Sequence, residues 1–164
     1  MKKYILLIVI IFASCAEQKQ EPETAGYSIR GEEESYMIGS DETTDFIRKW
    51  ADAHNKRDME SILSMEKADI KIELPDGTVI NGQDEHSKVL ESFFANNVTW
   101  KPYWMLPYNS VKAQETWVIA GFALTSNVDG EENVILHMGD IQLEDGLVSR
   151  IIVYENQRPK KSNN

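Results

Sequence analysis

The chain contains one cysteine, Cys15, so no disulfide can form within it. It has three histidines, His54, His86 and His137. Scattered in this way they lack the short spacing of a structural zinc site, and no metal is expected. There is no glycine-rich phosphate loop and no Gly-x-Ser-x-Gly elbow, so neither a nucleotide cofactor nor that class of serine hydrolase is expected. Positive charge is also scarce. Seventeen Lys and Arg face 27 Asp and Glu, for a net charge of -10. Phosphate binding needs a basic patch, so this balance argues against nucleic acid and against adhesion to anionic lipid. Finally, no apolar run reaches the roughly 20 residues that a helix needs to cross a bilayer. The run from Tyr4 to Ala13 has only ten.

That short run follows Met1-Lys2-Lys3 and ends in small residues, the marks of an export signal. Phe12-Ala13-Ser14-Cys15 resembles the lipobox of bacterial lipoproteins, with Phe12 where Leu is commoner. The resemblance implies removal of residues 1–14, a diacylglyceryl thioether on Cys15 and acylation of the new amine. The chain is then expected in the bacterial cell envelope, held in a lipid bilayer through acylated Cys15. Each buried methylene contributes about 0.8 kcal/mol, so three acyl chains hold essentially permanently. The remaining 150 residues are enough for one domain and carry 15 basic and 27 acidic residues.

Residues 15–42 read as a tether, polar at Ala16 to Thr24 and charged at Gly31-Glu32-Glu33-Glu34. Within it, Tyr36, Met37 and Ile38 are apolar enough to dock on the domain. Thr43 or Thr44 then offers a helix cap. Phe46, Ile47, Trp50, Ala51, Ala53 and His54 follow as one stripe at helical spacing. Asp58 is placed to cap a short helix from Met59 to Met65. Ile70, Ile72 and Leu74 alternate with polar residues as a strand, and Pro75-Asp76-Gly77 turns the chain into a short return. A third helix is expected from Asp84 to Asn96. Its first residues, Asp84-Glu85-His86, read as capping charge. Four strands follow, from Val98 to Leu106, Glu115 to Thr125, Asn133 to Leu143 and Leu147 to Glu155. Helices first and a strand meander after them indicate an α+β fold. Residues 158–164 form a polar tail.

The element order, together with Ala53-His54-Asn55-Lys56-Arg57-Asp58 closing the first helix and Gly82 before the third, resembles the nuclear transport factor 2-like superfamily. That group includes SnoaL-like proteins and ketosteroid isomerase. The resemblance covers about residues 42–157, with the domain itself placed at 43–157. It implies a cone-shaped, curved, mixed or antiparallel sheet wrapped around about three helices, with a pocket inside. It also implies a homodimer through the outer sheet face. It does not fix one function.

A pocket of aromatic walls with few polar groups collects Trp50, His54, Trp100, Trp104, His137, Arg150 and Tyr154 as ligand-binding candidates. Other roles stay open for them. A tryptophan on a helix stripe also suits a core, His54 also suits a helix C-terminus, and Arg150 and Tyr154 also suit a dimer face. Two functions follow. One is a non-catalytic binding domain for a small apolar or aromatic molecule or a partner protein. The other is an isomerase or cyclase using general acid-base chemistry. An inward carboxylate separates them. On the resemblance, the two carboxylate positions of ketosteroid isomerase fall on Ile72 and Gly139. Strand alternation puts the neighbouring acids, Glu73 and Asp140, on the wet face.

Overall fold

The computed structural model describes residues 23–28, 34–128 and 131–156. The expected signal at 1–14, Cys15 and the tail at 158–164 lie outside the described residues. Helix α1 spans Asp41–Lys56. Its cap is Ser40, whose side-chain oxygen accepts from the Glu42 N–H at 3.2 Å. Thr44 lies inside the first turn and donates to the Asp41 carbonyl at 2.7 Å. The cap therefore precedes both threonines, and Asp41 and Glu42 supply the first-turn negative charge. Arg57 ends α1 in the left-handed region, φ 58°. Asp58 then caps α2, Met59–Ser64, by accepting from the Ser61 N–H at 3.0 Å. Helix α3 is Gly82–Ala95.

The strands are β1 (Tyr27–Ser28), β2 (Glu34–Ile38), β3 (Glu66–Glu73), β4 (Val79–Asn81), β5 (Thr99–Ser110), β6 (Thr116–Val128), β7 (Glu131–Glu144) and β8 (Leu147–Asn156). They form one sheet in the order β1-β2-β5-β6-β7-β8-β3-β4. Strands β5 to β8 are an antiparallel meander, and β3 joins β8 in parallel. Three helices pack on this mixed sheet, the α+β architecture expected from the sequence. Period-two alternation explains the packing. Val118, Ala120, Phe122 and Leu124 of β6, Ile141 of β7, Ile151 of β8, and Ile70 and Ile72 of β3 are buried with Ile47 and Ala51 of α1. Each such Ile or Val contributes roughly 1.5–3 kcal/mol. Ala53, Ile62 and Leu90 form a second cluster that ties the three helices together.

The segment expected as a tether joins the sheet through β1 and β2, with Tyr27 and Ser28 paired to Ser35 and Glu34. Tyr36, Met37 and Ile38 pair with Ser110, Asn109 and Tyr108. The Glu34 carboxylate accepts from the N–H groups of Val111, Lys112 and Ala113 at 2.8–2.9 Å. These bonds, led by that of Lys112, hold its pKa below the usual carboxylate value. No helix among the described residues is long and apolar enough to cross a membrane.

Candidate functional site

Between the helices and the sheet lies a cavity of about 120 Å³. Its walls are Ile72, Leu74, Ile80, Val89, Phe93, Phe122, Leu124, Ile141, Ile151 and Val153, with Trp50 and Trp100. Gly139 leaves open space there, since a Cβ at that position would have only ordinary contacts at 3.7 Å and beyond. The polar groups on the lining are three imidazoles, His54, His86 and His137.

Helix spacing brings Trp50 and His54 together on α1, with ring centroids 4.2 Å apart. The His54 ring also meets Trp100 edge-on at 4.9 Å and lies 6.0 Å from His86. Its Nδ1 is 2.8 Å from the Trp50 carbonyl oxygen. A carbonyl only accepts, so Nδ1 carries the proton. Only 2 % of His54 is exposed. Burial pushes its pKa down to about 4, against the opposing bond to Trp50, so the ring is neutral at neutral pH. Asn55 fixes the facing strand. Its amide nitrogen donates to the Trp100 carbonyl at 2.7 Å, and its oxygen accepts from the Trp100 N–H at 2.8 Å.

Behind the histidines lies Glu66, at the start of β3 and 3 % exposed. One carboxylate oxygen accepts from Trp50 Nε1 at 2.8 Å, and the other is 3.0 Å from His86 Nδ1. Gln83 places His86. Its amide donates to the carbonyls of Leu63 and Glu66 at 2.7 and 2.9 Å, fixing the start of α3 against the turn into β3. His86 is therefore the buried partner of Glu66, rather than the capping charge that Asp84-Glu85-His86 suggested. Along the chain the histidines are too far apart to suggest a cluster. The fold gathers two of them with a carboxylate that sequence reasoning did not single out. The available signal was weak: an acid following a short helix, 16 residues after a tryptophan and 20 before a histidine.

Of the expected ligand-binding residues, the fold brings Trp50, His54, Trp100 and His137 to the cavity. His137 Nε2 lies 3.5 Å from the Glu155 carboxylate, and burial lowers its pKa. Trp104, Arg150 and Tyr154 are not on this wall. A bulge between Pro102 and Trp104 shifts the register, so Trp100 pairs with Leu124 but Trp104 with Gly121. One inserted residue turns Trp104 to the other face. Arg150 and Tyr154 do share a face, but it is the outer one, because Ile151 and Val153 between them turn inward. Arg150 donates twice to Glu73, at 2.6 and 2.9 Å. This pairing, with Lys71, holds Glu73 below the ordinary carboxylate range. Tyr154 and Tyr108 both approach Asp140 at 3.5 Å, and partial burial raises the Asp140 pKa. Ile72 and Gly139 line the cavity, while Glu73 and Asp140 do not.

No family model and no curated protein matches the sequence. Solved structures do match in shape. A putative ketosteroid isomerase from Kribbella flavida superposes with a TM-score of 0.60 at 18% identity, over 78% of this chain and 87% of that one. A putative polyketide cyclase from Xanthomonas campestris gives 0.57 at 14%, over 71% and 91%. An NTF2-like protein of unknown function from Cytophaga hutchinsonii gives 0.53 at 16%, over 73% and 92%. The structural neighbours are thus ketosteroid-isomerase-, polyketide-cyclase- and NTF2-like proteins, and at these identities they establish the fold alone.

Proposed function

We propose that this is an exported lipoprotein, anchored through Cys15, whose domain binds a small apolar or aromatic molecule without transforming it. The observation that carries this reading is the cavity itself, about 120 Å³ and walled almost wholly by aliphatic and aromatic side chains. An apolar cavity of about 150 Å³ takes up benzene, so one ring is the matching ligand size. His54 and His137 supply the few polar contacts that would orient such a ring. On the resemblance, the carboxylate positions of ketosteroid isomerase fall on Ile72 and Gly139, and the neighbouring acids, Glu73 and Asp140, are on the outer face, the first paired with Arg150 and the second near two tyrosines.

The test is a titration of the full chain with benzene, phenol and cyclohexanone, followed by methyl NMR of Ile72, Val89, Ile141 and Ile151. Saturable shifts confined to these methyls are expected. Absence of saturable shifts with all three rings refutes the reading.

A second reading, an enzyme of the isomerase or cyclase type, is favoured by the three imidazoles on the wall. It also fits neighbours titled putative ketosteroid isomerase and putative polyketide cyclase. Deuterium entering the α-carbons of cyclohexanone faster with protein than without it would select this reading over simple binding.

A further inference from the structure

We propose that His54, Glu66 and His86 form a binding site for one divalent first-row transition-metal ion, of the zinc class, at the inner end of the cavity. Three residues from three elements converge there. His54 comes from α1, Glu66 from the first position of β3 and His86 from α3. All three are buried, and one donor atom of each lies within 4.8 Å of the others. Ligands bound at about 2.0–2.2 Å to one tetrahedral ion lie about 3.3–3.6 Å apart. The widest pair in the set therefore has to close by roughly 1.2–1.5 Å.

The second observation is the way the rings are held. Metal-bound histidine characteristically gives its other ring N–H to a carbonyl or carboxylate, which fixes the tautomer and the ring direction. His54 has such a partner already. His54 Nδ1 is on the Trp50 carbonyl at 2.8 Å, and His86 Nδ1 is on Glu66 at 3.0 Å. In His54 this leaves Nε2 as the donor; in His86 the donor is Nδ1, which already faces the Glu66 carboxylate and can share an ion with it once its proton sits on Nε2. Glu66 has capacity to spare. A carboxylate has about four acceptor sites, and Trp50 and His86 use two. Two neutral imidazoles and one carboxylate suit zinc, cobalt, nickel or iron(II), and suit magnesium or calcium poorly. The remaining coordination position would face the cavity, the arrangement of open sites rather than closed structural ones.

The experiment uses the full chain, stripped with a chelator and titrated by calorimetry with Zn²⁺ alone, then with Co²⁺ followed by visible absorption. One ion per chain is expected, with d–d bands typical of a four- or five-coordinate nitrogen-oxygen site. His54→Ala and His86→Ala should each weaken Zn²⁺ binding at least tenfold, and Trp50→Phe should weaken it less. Glu91→Gln, on the exposed side of α3, should leave it unchanged. If His86→Ala fails to fold, His54→Ala and the wild-type Co²⁺ spectrum decide. No binding by wild type, binding undiminished in folded His54→Ala, or a Co²⁺ spectrum of an all-oxygen octahedral site overturns the proposal. Ring-probe binding by the metal-free chain is a separate readout, so failure here leaves the pocket reading standing.

Discussion

Replacing Asn55 with alanine should be among the more damaging changes outside the core. Strand β2 covers β5 only at Tyr108, Asn109 and Ser110. Among the described residues no strand lies beside this edge of β5 near Trp100, and the Asn55 amide makes both bonds that such a strand would make. Each net hydrogen bond contributes about 0.5–1.5 kcal/mol, and a donor and an acceptor left unpaired near buried rings push toward the upper end. The expected loss is about 2–3 kcal/mol. For a chain of this size that lowers Tm by roughly 4–12 °C. Asn55→Asp separates the two bonds. At neutral pH its carboxylate still accepts from the Trp100 N–H but opposes the Trp100 carbonyl. In acid the protonated group donates again. Its deficit relative to wild type should therefore shrink as pH falls. The reference is Asn96→Ala, which removes one exposed bond to the Ser92 carbonyl and should cost under about 0.5 kcal/mol. Denaturant melts followed by tryptophan fluorescence measure all three. If Asn55→Ala is no less stable than Asn96→Ala, the edge-bridging argument is wrong.

Gly139→Ala should stabilise the fold by up to about 1 kcal/mol, since the new methyl meets nothing closer than 3.7 Å and the unfolded chain loses freedom. It should also weaken benzene binding by filling the cavity, and a melt paired with a ring titration checks both. Glu34 has a folded pKa below its unfolded value. Its stabilisation is present above about pH 4.3 and is lost as pH falls through the lower folded value. Glu34→Gln should therefore melt earlier than wild type at pH 7, with the gap closing toward pH 3 in a series of thermal scans. Trp104, Leu106, Val134 and Tyr154 are each more than a third exposed, too much apolar area for an unpartnered face. Light scattering at micromolar concentration should report a dimer that Leu106→Lys dissociates, and a wild-type monomer would refute this. Cys15→Ser should leave the membrane fraction or persist as precursor. Processed Cys15→Ser protein retained on membranes after high salt would contradict the anchor.

The parts of this fold that were legible in the sequence are those set by local periodicity. The Phe46 to His54 stripe located α1, and Asp58 was read correctly as the cap of α2. Apolar alternation also put Ile72 and Gly139 inward and Glu73 outward without help from the fold. What escaped depends on events that the pattern does not encode. A single bulge inverted Trp104. For Arg150 and Tyr154, period two gave the shared face but not its side. Glu34 lies in an acidic run that reads as solvated charge, yet three backbone N–H groups more than 75 residues away hold it. Glu66 and His86 were missed for the same reason. Their meeting is tertiary, and composition places Glu outside unless a partner pays for its burial.

The parallel pairing of β3 with β8 also determines when the pocket comes into being. Among the described residues, β3 has only β4 and β8 as neighbours in the sheet, and the Met65 carbonyl waits for the N–H of Val148. His54, Glu66 and His86 all leave the ribosome more than 60 residues before Leu147. Until the last strand arrives, the β3–β4 hairpin has no sheet to join and Ile151 and Val153 are missing from the cavity wall. Contacts of such sequence separation are closed late. Synthesis therefore yields no half-formed pocket: a chain halted before β8 exposes its apolar helices and strands, and the cavity closes in the step that completes the sheet.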